Sequence, residues 1–201
     1  MSNLKPLRDV TPFHPLIIKS NFNFDWVKLK PICEKLINTT IINTPLEKND
    51  AKSSATNSNP PHLMPEFADF YKWLSPMAQH IIVNEWGYAD DIGYAIVNSW
   101  VNLHKKGGLT LEHNHTGTLL VCTTYLNIPK NSGYIEFKDP LEYQKSFHAR
   151  KDISWEWFEI QAETGDSICF PGWMKHRTQP SYSDEDRWVL TTNIAAIGPK
   201  K

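Results

Sequence analysis

The stretch Leu111-Glu112-His113-Asn114-His115-Thr116-Gly117 decides how this chain is interpreted, and Trp173-Met174-Lys175-His176 completes it. Side chains alternate between the two faces of a β-strand, so His113 and His115 would point to one face with Cα atoms roughly 6–7 Å apart. Two imidazoles at this separation can converge on one metal ion. His176 lies 61 residues after His115 and forms a three-histidine face with the pair if the fold returns it there.

A His-x-His pair alone is weak support for a metal site in a chain with eight histidines. The turns around it strengthen the hypothesis, because Gly107-Gly108 precede the pair and Gly117 follows it. His176 comes after an apolar strand and the breaker Pro171-Gly172, which favours a position at the mouth of a sheet.

The identity of the third ligand stays open at this point. Imidazole suits iron, zinc, copper and nickel, and many iron oxygenases use two histidines with one carboxylate. Position 115 carries no carboxylate, so Asp139 is an alternative third ligand. Glu112 is a poor one, because in a strand it would point away from His113.

Composition limits the class of protein. A chain of 201 residues predicts one domain over 1–201, and a net charge of −1 gives no bulk electrostatic case for nucleic-acid binding. The three cysteines are far apart, which argues against a disulfide framework or a zinc site. No apolar run approaches a membrane span of about 18 residues. We therefore expect a cytoplasmic protein without membrane contact, and a homodimer as the commonest assembly.

The first 93 residues or so form a lead-in. Apolar residues at helical spacing predict helices over about 25–38, with Asp25 as N-cap, and over 64–86, while residues 16–18 could form a first strand. Residues 39–63 are rich in Asn, Thr, Ser and Pro, so a long loop is expected. A flap over the functional site is the alternative for this segment.

From about residue 94 to 195 the pattern changes to short β-type runs separated by turns. We predict strands at about 94–103, 109–114, 118–127, 133–138, 153–161, 167–171, 174–179 and 186–195. Eight strands with short turns predict a sandwich or jelly roll, with the early helices packed outside one sheet. The predicted fold class is therefore mainly β with flanking helices.

Arg187 is a candidate anion anchor. It lies 11 residues after His176 and would occupy the neighbouring strand of a hairpin. A guanidinium there can bind a carboxylate through two parallel hydrogen bonds. The alternative is a structural ion pair with Asp184 or Asp186.

These residues resemble the 2-oxoglutarate- and iron(II)-dependent oxygenases, most closely a small bacterial and phage branch whose first metal motif reads His-x-His. The resemblance covers about residues 98–195. It is carried by Trp100-Val101-Asn102, Gly107-Gly108, His113-x-His115, Tyr125-Leu126-Asn127-Ile128-Pro129, Gly133-Tyr134-Ile135-Glu136-Phe137, Asp139-Pro140, Gly165-Asp166, Phe170-Pro171, Trp173, His176, Arg187 and Asn193.

The resemblance implies a double-stranded β-helix that is cupin-like, with iron(II) in its mouth. His113 and His176 would be metal ligands, with His115 where the family usually has a carboxylate. Arg187 would hold the distal carboxylate of 2-oxoglutarate, and Asn102 and Tyr125 would contact the same co-substrate. Many relatives carry Ser at the position of Val189, and Thr191 is the candidate to take its role. The implied reaction consumes O₂ and 2-oxoglutarate, hydroxylates a substrate and releases succinate and CO₂.

The substrate is less visible. Trp155 and Trp157 share a face of a predicted strand and, with Trp173, are candidates to line a substrate groove. A protein side chain or a small molecule ranks above nucleic acid. Two other functions remain open, namely a three-histidine cupin-like dioxygenase that needs no 2-oxoglutarate, and a non-catalytic jelly-roll binding module.

Overall fold

A computed structural model describes residues 17–140 and 156–200. Its helices are Trp26–Thr39 (α1) and Ala68–His80 (α2), with 3-10 turns at Pro61–Leu63 and Pro65–Phe67 and a π-helical turn at Ile81–Glu85. The lead-in strands are Ile18–Asn21 (β1), Glu47–Lys48 (β2) and Ala51–Ser53 (β3). Eight more strands follow among these residues: Ile92–His104 (β4), Leu109–Thr110 (β5), Leu120–Asn127 (β6), Ile135–Lys138 (β7), Trp157–Ile160 (β8), Asp166–Pro171 (β9), His176–Thr178 (β10) and Arg187–Pro199 (β11).

The strands form antiparallel sheets that fold over one another. The large sheet has the order β1-β9-β6-β11-β4-β3, the small sheet has the order β10-β7-β8, and β2 pairs with β5. One core lies between the large and small sheets, and a second lies between the large sheet and the two helices. This arrangement is the jelly roll, or double-stranded β-helix, that the sequence predicts.

Strand β6 shows how the sequence builds both cores. Leu120, Cys122 and Leu126 are buried in the core that the helices cover, whereas Val121 and Tyr125 are buried in the core beneath the small sheet. Side chains alternate between the two faces of a strand, so one buried strand needs apolar residues on both faces. The near-continuous apolar run of β6 follows from this double burial.

Both predicted helices are present. Asp25 caps α1, since the Lys28 backbone N–H donates to its Oδ1 at 3.3 Å. Pro31 lies inside α1, and the helix continues through it. Pro76 likewise lies inside α2. Among the described residues, no helix is long and apolar enough to cross a membrane.

The expectation of a plain loop over residues 39–63 is wrong in part, because this segment contributes β2 and β3. The side chain of Asn43 donates to the Ala51 carbonyl at 3.0 Å and accepts from the Ser53 N–H at 2.8 Å. These bonds tie the polar segment together, and the pairing of β2 with β5 and of β3 with β4 joins it to the roll. The strand expected at 109–114 is also shorter, because β5 ends at Thr110.

Candidate active site

The three predicted metal-site histidines come together at one end of the roll. His113 and His176 form an isolated antiparallel bridge, with the N–H of each donating to the carbonyl of the other at 3.0 Å. The His115 N–H donates to the Gly172 carbonyl at 2.8 Å, which fixes the second histidine beside the third. One ligand nitrogen from each of the three side chains lies within 4.8 Å of the others.

Each imidazole is oriented by a hydrogen bond from its Nδ1 atom. Nδ1 of His113 lies 2.8 Å from the Leu111 carbonyl, and Nδ1 of His176 lies 3.0 Å from the Met174 carbonyl. Nδ1 of His115 lies 2.7 Å from Oδ1 of Asn193. Because these partners are acceptors, each Nδ1 carries the proton and each Nε2 keeps its lone pair. Three lone pairs directed at a common point fit a divalent metal ion.

The surroundings keep the three imidazoles neutral. Burial lowers the pKa of His115 to about 4, and the nearby His113 adds to the effect. Burial also lowers the pKa of His113 and holds that of His176 well below its usual range. A metal ion competes with protons for an imidazole lone pair. Low pKa values therefore favour the form that binds metal.

Gly172 explains how the chain passes so closely behind this site. A Cβ at this position would lie 2.1 Å from the Thr118 carbonyl oxygen and 3.0 Å from the His115 carbonyl oxygen. Only glycine allows the backbones to approach this closely. Gly172 therefore permits the hydrogen bond from the His115 N–H to the Gly172 carbonyl, which positions His115.

The histidines line a cavity of about 270 Å³ between the large sheet, the small sheet and residues 44–55. Arg187, Val189, Thr191 and Asn193 line it at every second position of β11. On β4, which pairs with β11, Trp100, Asn102 and His104 do the same. Because side chains alternate along a strand, Arg187 and Asn193 lie on one face of β11. Asn193 contacts His115, so the arginine and the histidines lie toward different ends of this face.

Arg187 is the buried cation of this cavity. Its side chain donates to the carbonyls of Ser132 and, at 3.4 Å, Gln179, and its Nε–H has no partner. It forms no salt bridge with a described residue, and Asp184 pairs with Lys106, so the predicted alternative of an ion pair with Asp184 or Asp186 is wrong. Burial lowers its pKa to about 10, which leaves the guanidinium charged at neutral pH. A buried charge without a counter-ion is costly, so an anionic ligand would be stabilised here.

The three residues predicted to contact the co-substrate also line the cavity. Asn102 donates to the Thr191 hydroxyl at 3.4 Å, and Oδ1 of Asn102 has no partner. Tyr125 is buried on the same side, and burial raises its pKa. These neutral polar groups separate the arginine from the histidines.

Unpaired polar atoms concentrate in this cavity. Six buried side-chain atoms of the described residues lack a hydrogen-bond partner, and five of them belong to cavity-lining residues, namely Thr44, Asn102, His104, His115 and Arg187. Buried polar groups in folded proteins are nearly always paired. The concentration of exceptions identifies a site for a polar ligand.

The other predicted site residues lie elsewhere. Asp139 lines a separate pocket with Phe137 and Met174 and is not part of the histidine cluster. Glu112 pairs with Lys175 at 3.1 Å. Trp157 lies outside the cavity, with the Arg177 guanidinium 3.9 Å from its ring centroid. Trp173 is half exposed in the turn before β10 and does not line the cavity. Trp155 lies outside the described residues.

Sequence reasoning did not single out His104 and Glu47, two titratable residues with buried side chains that line the cavity. His104 continues the alternation of Trp100 and Asn102 along β4, and this period could have identified it. Glu47 comes from the segment expected to be a loop, and no sequence pattern marks it. Asn193 carried part of the family resemblance, but its hydrogen bond to His115 was not foreseen.

A jelly roll with three clustered histidines and a buried arginine in one cavity has the features of a metal-binding site in a cupin-like fold. Residues 98–193 match the family model described as "Putative 2OG-Fe(II) oxygenase". The match supports the resemblance of this region to the 2-oxoglutarate- and iron(II)-dependent oxygenases. The sequence resemblance is thereby confirmed, and the expected cofactors agree with this family. A search among curated proteins gave no match.

Solved structures of this superfamily share the fold over most of their length. A Pseudomonas putida prolyl-4-hydroxylase is 11% identical with a TM-score of 0.62, covering 92% of this chain and 94% of its own. HygX from Streptomyces hygroscopicus, solved with nickel and 2-oxoglutarate, is 12% identical with a TM-score of 0.58, covering 92% and 83%. A viral collagen prolyl hydroxylase from Paramecium Bursaria Chlorella virus-1, a 2-oxoglutarate complex, is 15% identical with a TM-score of 0.56, covering 90% and 96%.

Proposed function

We propose that this protein is an iron(II)- and 2-oxoglutarate-dependent hydroxylase whose iron is held by His113, His115 and His176. The observation that carries the proposal is the orientation of the three rings. Every Nδ1 is held by an acceptor, and Nε2 of His115 is buried without a partner. This is the arrangement in which outer hydrogen bonds orient metal-binding imidazoles.

Arg187 is proposed to bind the distal carboxylate of 2-oxoglutarate. Its Nε–H is free, its present partners are neutral carbonyls, and it lies in the same cavity as the histidines. Asn102, Tyr125 and Thr191 would contact the co-substrate between these two ends. Iron(II) with 2-oxoglutarate and O₂ supplies the oxidation of a substrate C–H bond, with succinate and CO₂ as by-products.

The chain's own residues have three tasks in this proposal. The three histidines present neutral lone pairs, Arg187 orients the oxo acid, and the cores on both sides of the large sheet exclude water. The substrate is proposed to be a protein side chain or a small molecule rather than a nucleic acid. The net charge of −1 supports this ranking.

The proposal is tested by supplying iron(II), 2-oxoglutarate and O₂ to the purified protein and measuring succinate. The co-substrate alone is expected to raise the melting temperature of the iron-loaded protein under nitrogen, because a ligand that binds only the folded state stabilises it. Absence of this shift, together with no succinate formation with any substrate pool, would contradict the proposal.

The shell of three neutral ligands also favours a second candidate, a cupin-like dioxygenase that uses no 2-oxoglutarate. Arg187 distinguishes the two functions. The Arg187→Ala variant should lose 2-oxoglutarate binding and turnover under the first proposal, but keep turnover under the second. Arg187→Lys is measured beside Arg187→Ala, because lysine keeps a buried positive charge but lacks the planar guanidinium that binds a carboxylate through two hydrogen bonds. Melting temperatures of both variants show whether they are folded.

A further inference from the structure

Glu47 is a buried carboxylate in the cavity for which the proposed reaction has no use. Its side chain is 3% exposed, and β2 places it in the wall that residues 44–55 contribute. Its carboxylate lies 3.4 Å from Nε2 of His104, and it lines the same cavity as His113 and Arg187. It is not within the metal-binding group of histidines.

The hydrogen bonds around Glu47 leave one of its oxygens free. The Thr110 hydroxyl donates its only proton to Oε2 of Glu47 at 2.9 Å. The contact of 2.8 Å between Thr110 and Nε2 of His104 must therefore have the histidine as donor. Nε2 of His104 also lies 3.4 Å from Oε2 of Glu47. Oε1 of Glu47 has no hydrogen-bond partner among the described residues.

The remaining unpaired atoms here are mostly acceptors. With Nε2 of His104 protonated, its buried Nδ1 is an acceptor without a partner, as is Oδ1 of Asn102. Ionised 2-oxoglutarate contains only acceptors, so it can pair with Arg187 but cannot satisfy Glu47. Buried acceptors are stabilised by a ligand that brings donors, and a carboxylate is stabilised best by a cationic donor.

We propose that Glu47 is a substrate-recognition residue, and that the primary substrate carries a cationic N–H group, an ammonium or a guanidinium, that binds its free oxygen. This inference rests on the proposed function and names the substrate class of the same cavity. The wall formed by residues 44–55 would then select the substrate, while Arg187 on β11 holds the co-substrate. Both a lysine or arginine side chain of a protein and a free amine offer this chemistry.

The test is calorimetric titration of the iron(II)- and 2-oxoglutarate-loaded protein under nitrogen with two matched sets of probes. One set is the pentapeptide Gly-Gly-Xaa-Gly-Gly with Xaa lysine, norleucine or glutamate. The other is n-butylammonium, n-butanol and butyrate. In at least one set, the cationic member is expected to bind at least about tenfold tighter than its neutral match. Preference in the peptide set indicates a protein side chain, and preference in the free set alone indicates a small molecule.

Glu47→Gln is the informative variant, because it removes the charge and keeps an oxygen for Thr110. It is expected to reduce the cationic preference to less than about twofold, while iron and 2-oxoglutarate affinities stay within about twofold. The matched control is Glu112→Gln, since Glu112 already pairs with Lys175 outside the cavity, and it should keep the full preference.

Three results would overturn the inference: no cationic preference in the wild type, a preference that survives Glu47→Gln, or a tenfold loss of iron or 2-oxoglutarate affinity in that variant. The last result would mean that Glu47 serves the cofactors. Failure of the wild type to bind iron or 2-oxoglutarate would instead contradict the proposed function. The same probes titrated into metal-free protein still test Glu47, because its position does not depend on the metal.

Discussion

The β11 face and the 44–55 wall both line one cavity, but they are built in different ways. On β11 the lining residues Arg187, Val189, Thr191 and Asn193 alternate with core residues, so the strand itself fixes their direction. The wall has only two and three residues in its strands, and the side chain of Asn43 bonds two residues of β3. A long paired strand holds the proposed cofactor residues, whereas the short pairing of β2 with β5 holds the proposed substrate residue Glu47.

The largest effect on the β11 side of this comparison is expected from His176→Ala. It removes one of three proposed ligands, so iron content should fall to background and succinate formation by at least about 100-fold. Metal analysis of protein loaded under nitrogen, together with a succinate assay, measures both. His80→Ala is the control, since His80 is exposed and pairs with Glu85. Normal iron content in His176→Ala would show that the metal binds elsewhere.

A smaller effect is expected from Asn193→Leu, which leaves Nδ1–H of His115 without its acceptor. Losing an outer hydrogen bond of this kind costs about 10–100-fold in metal affinity. Asn193→Asp keeps an oxygen in place and should retain iron affinity within about threefold. Competition with a chelator gives the affinities, and equal values for the two variants would exclude a positioning role for Asn193.

His104 links the two regions, because it pairs with Arg187 of β11 and contacts Glu47 of the wall. Its protonation at low pH should lower the stability of the protein. Burial, with the Arg187 charge, lowers the pKa of His104 to about 4, against about 6.5 in an unfolded chain. Between these values the unfolded state binds the extra proton. The free energy of unfolding should therefore fall as pH drops from 6.5 to 4, by up to about 3 kcal/mol from this group.

Denaturant unfolding of the metal-free protein at pH 7, 5.5 and 4.5 measures this change. His104→Gln has no such group and should show a shallower loss of stability than the wild type. Identical pH profiles for the two proteins would contradict a neutral, buried His104.

The smallest effect is expected from a substitution of Asn43, and it should be confined to the wall formed by residues 44–55. Asn43→Ala removes the bonds to Ala51 and Ser53 and should lower the free energy of unfolding by about 1–2 kcal/mol. Hydrogen exchange should increase in residues 44–55, while 2-oxoglutarate affinity stays within about twofold. A large loss of 2-oxoglutarate affinity in Asn43→Ala would mean that the wall and the β11 face do not act separately.

The same contrast explains what could be predicted from the sequence. The jelly roll, the two helices and the cavity positions of His113, His115, His176 and Arg187 follow from periodicity, turn residues and the family resemblance. Asn102, Tyr125 and Thr191 also line the cavity as expected.

The unforeseen parts depend on contacts that periodicity does not encode. The sequence of residues 39–63 resembles that of a loop, because this segment has no apolar periodicity. Its conformation is held in part by side-chain-to-backbone hydrogen bonds, such as those of Asn43. Glu47 enters the cavity only because β2 pairs with β5. Trp157 is predicted to line a groove, but the sequence does not show that it lies outside the cavity with Arg177 over its ring.

The proposed metal site can be observed in a crystal structure of the protein with iron(II) and 2-oxoglutarate, grown and frozen under nitrogen. We expect one iron bound by Nε2 of His113, His115 and His176, with the distal carboxylate of 2-oxoglutarate on Arg187. Iron bound through Asp139, an iron shell that leaves out His115, or 2-oxoglutarate held away from Arg187 would contradict this expectation.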